Sequence, residues 1–192
     1  NYTGLIDPAI LIELDQNGNT VNTKVLNNKC GVTSIVDDSL GNYYVQGTVT
    51  NASGLIDFID ATPDIATGQA NSVFWMKFNS SGNLKWTKYV AGNIVAGNIV
   101  LASVNKEGSL LANIGALKGS GFTYGSTVFN PGNKNLLVHA LMDSSGNFVA
   151  TPSAEISRTV LNNYQSAFKD NYYYVTGRYA PQAVFGDSII PD

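Results

Sequence analysis

Apolar side chains recur at every second position in three short stretches of the chain, at 10/12/14, 74/76/78 and 138/140/142. A period of two predicts a strand with one buried face in each of them. The stretches begin Ile10-Leu11-Ile12-Glu13-Leu14, Phe74-Trp75-Met76-Lys77-Phe78 and Val138-His139-Ala140-Leu141-Met142. Each runs into Asp or Asn, two polar residues and Gly-Asn, which suits a short hairpin loop because Gly and Asn accept positive φ at little steric cost. Return strands are expected over 20–26, over 84–90 and from Phe148 onward, as outer, half-exposed members. The turn glycines fall at 18, 82 and 146, an offset of 64 residues both times. That regularity marks an internal repeat.

A second hairpin recurs between these. Its strands are 32–36 and 42–47 in the first copy, 98–104 and 109–115 in the second, and 164–168 and 172–177 in the third. The turns are Asp37–Gly41, Asn105–Gly108 and Lys169–Asn171. Each copy then enters a longer loop with an aromatic, Phe58, Phe122 with Phe129, or Phe185. The duplication 91–95/96–100 reads as a small insertion in a connecting loop. Two hairpins per period make one four-stranded antiparallel sheet per repeat, the recipe for a propeller blade.

The expected architecture is therefore all-β, with β-propeller-like blades in three repeats of about 64 residues, units 9–72, 73–136 and 137–192 of one repeat domain. A β-sandwich of antiparallel hairpins is the alternative. The first and last units are split across a blade, since the chain opens in an outer hairpin (9–26) and closes after an inner one (about 160–180). Three blades fall short of the usual four to eight. The expectation is a partial propeller, completed by the rest of a longer chain or by a second copy in a homodimeric ring.

Composition narrows the chemistry. Charged residues make up 13% and the net charge is −3, with the basic residues scattered, which argues against a nucleic-acid partner. The most apolar run, 97–104, is strand-sized, so no membrane span is expected. Cys30 is the single cysteine, which leaves no internal disulfide and no thiolate metal site. The chain begins with Asn1 rather than Met and reads as a processed protein or an excised piece.

Asn42-Tyr43-Tyr44-Val45-Gln46-Gly47, a variable loop and Phe74-Trp75-Met76-Lys77-Phe78-Asn79-Ser80-Ser81-Gly82-Asn83-Leu84-Lys85-Trp86 together resemble the bacterial β-propeller repeats called SBBP. Those repeats read roughly D-x-x-G-N-x-Y-V-x-G, a loop, then D-x-F-V-x-K-x-D-x-x-G-x-x-x-W. Residues 32–90 match best; in the third copy Leu141 replaces Lys77 and Ala150 replaces Trp86. The resemblance implies a secreted or cell-surface bacterial protein whose repeats act in binding or adhesion.

Candidate catalytic groups are few. His139 is the only histidine, and Leu11 and Trp75 hold its position in the other copies, as packing residues would. Without a second histidine or a reactive cysteine the common triads cannot be assembled, and no P-loop, dinucleotide fingerprint or HExxH stretch occurs. The loops at Asp15 and Asp143 supply one carboxylate each, too few for calcium, and Asn79 replaces the acid in the middle copy. Asp57, Asp60 and Asp64 form a looser acidic group in the loop 51–72, read as solvated. The sequence thus predicts no catalytic residue, no metal site and no cofactor. Aromatics are the remaining lead, because Tyr and Trp stack on sugars and anchor interfaces. Trp75, Trp86, Tyr124 and Tyr179 are the candidate ligand-binding residues, for a protein or a glycan partner. The expected function is a non-enzymatic binding, adhesion or structural module at the cell surface or outside the cell. A lectin-like propeller is the alternative. A propeller hydrolase or lyase would need carboxylates converging on the central channel, and repeat-equivalent acids are scarce.

Overall fold

The computed structural model describes residues 9–27, 30–49, 55–58, 61–66, 72–92, 100–116, 118–119, 121–124, 127–130, 132–133, 135–150, 153–156, 165–176, 184–185 and 188–189. The described residues are all-β and antiparallel. In chain order the strands are β1 (Ala9–Leu14), β2 (Thr20–Asn27), β3 (Cys30–Asp37), β4 (Tyr43–Val49), β5 (Leu55–Phe58) and β6 (Ala61–Ala66). Then follow β7 (Ser72–Phe78), β8 (Leu84–Gly92), β9 (Val100–Val104), β10 (Leu110–Ala116), β11 (Phe122–Tyr124) and β12 (Thr127–Phe129). The last are β13 (Asn135–Met142), β14 (Phe148–Ala150), β15 (Ser153–Ile156), β16 (Gln165–Lys169), β17 (Tyr172–Thr176), β18 (Val184–Phe185) and β19 (Ser188–Ile189).

The strands form an N-terminal sheet ordered β1-β2-β5-β6, a middle sheet β3-β4-β7-β8-β11-β12, a C-terminal sheet β9-β10-β13-β15-β18-β19 and the separate hairpin β16-β17. β14 also pairs with β13. β4 meets β7 with Tyr43 opposite Phe78 and Val45 opposite Met76, and β10 meets β13 with Leu110 opposite Met142 and Ala112 opposite Ala140. The two sheets thus have the same centre. β3 lies against β9, and β9 against β16.

One element differs from the sequence expectation. The long loop after each inner hairpin contains a third hairpin, β5-β6, β11-β12 or β18-β19, that pairs back onto the preceding return strand. Phe58 lies opposite Leu26, Phe122 opposite Gly92 and Phe185 opposite Ala154. The middle sheet therefore has six strands rather than four, and return strands β2, β8 and β15 are interior rather than outermost. Asp57 and Asp64 fall on β5 and β6 instead of in a loop. Asp60 lies outside the described residues, as do the side chains of Asp57 and Asp64, and residues 93–99 of the duplicated segment.

β7 shows how the sheets hold together. Val73 and Trp75 point one way, into a core shared with Leu110, Ala112, Ile114, Val138 and Met142 of the C-terminal sheet. Phe74, Met76 and Phe78 point the other way and are buried against Leu26 of the N-terminal sheet. Each such side chain contributes roughly 1.5–3 kcal/mol by leaving water. Both faces of β7 are covered, so the predicted single buried face is corrected here to two.

The first copy departs in the opposite sense. Ile10, Ile12 and Leu14, counterparts of Phe74, Met76 and Phe78, are 46%, 57% and 56% exposed, while Ala9 and Leu11 pack toward the middle sheet. The face carrying Phe74 is covered by the preceding sheet; no described sheet covers the matching side of β1. Val25, across from Ile10, is already buried, so the open strip runs toward Ile12 and Leu14 at the loop end. Among the described residues no helix is long and apolar enough to cross a membrane.

Candidate functional site

Five loops are built alike. Asp15, Asp38, Asn79, Asn105 and Asp143 each donate their amide to the carbonyl four residues on and accept the amide of the glycine three residues on. Those glycines, at 18, 41, 82, 108 and 146, have φ of 83°, 77°, 74°, 79° and 77°, the left-handed region that favours glycine. The Asx side chain completes the loop: Asp15 Oδ1 accepts from the amides of Asn17 and Asn19, both at 2.8 Å. Asp143 Oδ1 does the same for Ser145 (2.9 Å) and Asn147 (2.8 Å). These bonds, that from the Asn19 side chain foremost for Asp15 and that from the Asn147 amide for Asp143, hold both carboxyls below the usual carboxylate range. Pairing of Tyr43 with Phe78 and of Leu110 with Met142 puts inner-hairpin and outer-hairpin loops side by side. Four of the five therefore lie in adjacent pairs, the Asp38 loop beside the Asn79 loop and the Asn105 loop beside the Asp143 loop.

Side chains of one sheet grip the loops of the next. The Tyr44 hydroxyl lies 3.1 Å from both Asp38 Oδ2 and the Gly108 carbonyl. Trp86 Nε1 donates to the Ser144 carbonyl at 2.9 Å, and Lys77 Nζ donates to the same oxygen at 3.2 Å while sitting 5.0 Å from the Tyr44 ring centroid. The Tyr124 hydroxyl donates to the Gly146 carbonyl at 2.6 Å. Tyr173, on the last hairpin, donates to the Ser109 carbonyl at 2.9 Å. Burial first, and then the charge of Asp38, Asp143 or Glu107, raises the pKa of Tyr44, Tyr124 and Tyr173, the last to about 12. All three stay protonated as donors across the physiological range.

Buried polar pairs repeat as well. Gln46 and Trp75 face each other across β4 and β7, and Trp75 Nε1 donates to Gln46 Oε1 at 2.9 Å. Asn113 and His139 hold the equivalent positions on β10 and β13, with His139 Nδ1 2.6 Å from Asn113 Oδ1. Because the amide oxygen can only accept, Nδ1 carries the proton. Burial lowers the pKa of His139, so the ring is held neutral. The lone histidine thus repeats the role of a tryptophan.

Three of the aromatics singled out from the sequence meet at one core, Trp75 and Tyr124 within it and Trp86 packed against it. Trp75 and Tyr124 are buried in the core shared by the middle and C-terminal sheets, edge to face with centroids 6.2 Å apart, and offer no ring face to a ligand. Trp86 is half-buried with its N–H held by Ser144. Tyr179 lies outside the described residues. Among the described residues the exposed tyrosines are Tyr89, Tyr172 and Tyr174. Among the described residues no three His, Cys, Asp or Glu side chains come together as a metal-binding group.

An open cleft of about 510 Å³ lies between the N-terminal and middle sheets. Ile10, Leu11, Ile12 and Glu13 of β1 form one wall, Val32, Ile35 and Tyr43 of the middle sheet the other, with Lys24 and Asn22 beside them. Its lining is mainly apolar. Sequence reasoning did not find it, because a strand's periodicity reports which residues share a face and not what covers that face. No protein-family model, curated protein or solved structure matches the chain.

Proposed function

We propose that the chain is a non-enzymatic binding or structural module of propeller-like blades, of the kind the SBBP resemblance implies, belonging to a secreted or cell-surface bacterial protein. The observation that carries this reading is the use made of its polar side chains. Asp15, Asp38 and Asp143 close their own loops, Tyr44, Lys77, Trp86 and Tyr124 bind the loops of the neighbouring sheet, and His139 is buried in a pair with Asn113. Groups committed to such bonds make a rigid frame and are poorly placed to cycle protons or attack a substrate. What the frame presents is an apolar cleft and exposed tyrosines, which are means of contact.

Assays with polysaccharide, ester and peptide substrates test it: no turnover above a heat-denatured control is expected, and turnover abolished by His139→Gln would contradict it. The exposed Tyr172 and Tyr174 favour a second, lectin-like reading. A glycan-array signal lost in the Tyr172→Ala/Tyr174→Ala variant would establish that one instead.

A further inference from the structure

The middle and C-terminal sheets show what belongs beside a strand such as β1. β7 pairs with β8 on one edge and β4 on the other, and β13 is flanked by β15 and β10. β1, the third member of this set, pairs only with β2 among the described residues. Its other edge forms a wall of the cleft. The facing wall is the side of β3-β4 that carries Val32 and Tyr43. In the next sheet the inner strand β9 is covered by β3. The repeat itself therefore specifies the shape that fits: an inner hairpin, paired to β1 and lying over β3.

The chain has such a hairpin with the matching surfaces open. β16-β17 closes with Lys169 opposite Tyr172, as the first inner hairpin closes through Asp38 and Asn42, so Tyr173 takes the place of Tyr43 and Leu110. Tyr173 faces the C-terminal sheet, bonded to Ser109. Tyr172 and Tyr174 project from the opposite side and are 67% and 51% exposed. The edge of β17 away from β16 has no partner strand among the described residues. Within one chain, however, β16 lies against β9 while the cleft stays open.

We propose that the cleft is the docking site for a second copy of this chain, whose β17 adds antiparallel to β1. The shared register of the two complete sheets sets the pairing: Tyr173 opposite Leu14, Tyr174 opposite Glu13 and Val175 opposite Ile12. Tyr174 then fills the cleft over Val32 and Ile35, and Ile12 and Leu14 settle on the partner's C-terminal sheet. Two chains that complete each other in this way close on a two-fold axis and leave neither edge exposed. They give six sheets, within the four to eight of propellers, whereas one chain closing on itself gives three. The number six rests on the blade reading proposed above; the strand pairing rests on register alone.

Light scattering on the full chain should give twice 20.4 kDa. Ile12→Lys and Tyr174→Lys, both at positions exposed in the single chain, should each return the mass of one chain with an unchanged far-ultraviolet dichroism spectrum. In a Cys30→Ser background, a Glu13→Cys chain mixed with a Tyr174→Cys chain and oxidised should form a disulfide-linked pair, because directly opposed residues bring their Cβ atoms within about 4.5–5.5 Å. A single-chain mass at every concentration, or no disulfide in the mixture, would overturn the proposal, as would a chain carrying both Glu13→Cys and Tyr174→Cys that forms only an internal disulfide. None of these readouts depends on whether the module binds a glycan or turns over a substrate, so a failed docking and a failed functional reading remain separable.

Discussion

Gly18 and Gly108 share almost the same backbone angle, yet a methyl group added at each meets different surroundings. At Gly18 nothing lies within 4 Å, whereas at Gly108 the new Cβ would stand 2.7 Å from the buried Tyr44 hydroxyl oxygen. Gly18→Ala should therefore cost only the left-handed backbone strain, about 1 kcal/mol. Gly108→Ala should cost about 2–3 kcal/mol, because it also displaces the bond that ties the two sheets; urea denaturation of both variants checks the difference. Tyr124→Phe removes the hydroxyl's contacts with the Gly146 carbonyl and Met142 Sδ and should lower stability by about 1–2 kcal/mol in the same experiment. His139 adds a pH dependence. Burial depresses its pKa below 6.5, so near and just below that pH the unfolded chain binds more protons than the folded one. Thermal stability should fall as pH drops through about 6.5, and His139→Gln should flatten this segment of the curve. The depressed carboxyls of Asp15 and Asp143 act in a separate window, losing their contribution only as pH falls below about 3.8. The corner glycines at 18, 82 and 146 were legible in the sequence because positive φ restricts residue type. The roles of Trp86 and Tyr124 were not, since a hydrogen bond to the carbonyl of another sheet leaves no trace in local spacing.

Hairpins divide into those the sequence announces and those it conceals. β1-β2, β7-β8 and the strands around Asp143 carry Asx-Xaa-Xaa-Gly loops between alternating apolar positions, and each of those signals has a local physical cause. β5-β6, β11-β12 and β18-β19 have strands of two to six residues, and β6 contains Pro63. β5, β11 and β18 form by pairing with the return strand of their own repeat unit, about 30 residues back in the chain, which periodicity does not encode. β16-β17 uses a different turn: Asp170 and Asn171 have φ of 51° and 67°, the type I′ arrangement that best accepts Asn-Gly. Asp170→Asn with Asn171→Gly should therefore slow amide exchange across 165–169 and 172–176 by a few-fold, as hydrogen-exchange mass spectrometry would show. Faster exchange there would mean that the hairpin turns by another route.

At the scale of the whole molecule, repetition places equivalent residues in unequal surroundings. Phe74, Met76 and Phe78 are buried because a sheet precedes them, and Ile10, Ile12 and Leu14 are exposed because no described sheet does. The same strip of side chains is core in one copy and surface in another, which is why the pattern at 10/12/14 misleads when read alone. The equivalence of the copies itself depends on register, since a slip of one residue would exchange the faces of β7 or β13. Cross-strand NMR contacts in the full chain test this most directly. Tyr43 with Phe78 and Leu110 with Met142 should both appear as opposed pairs; an offset of one residue in either pair would contradict the account.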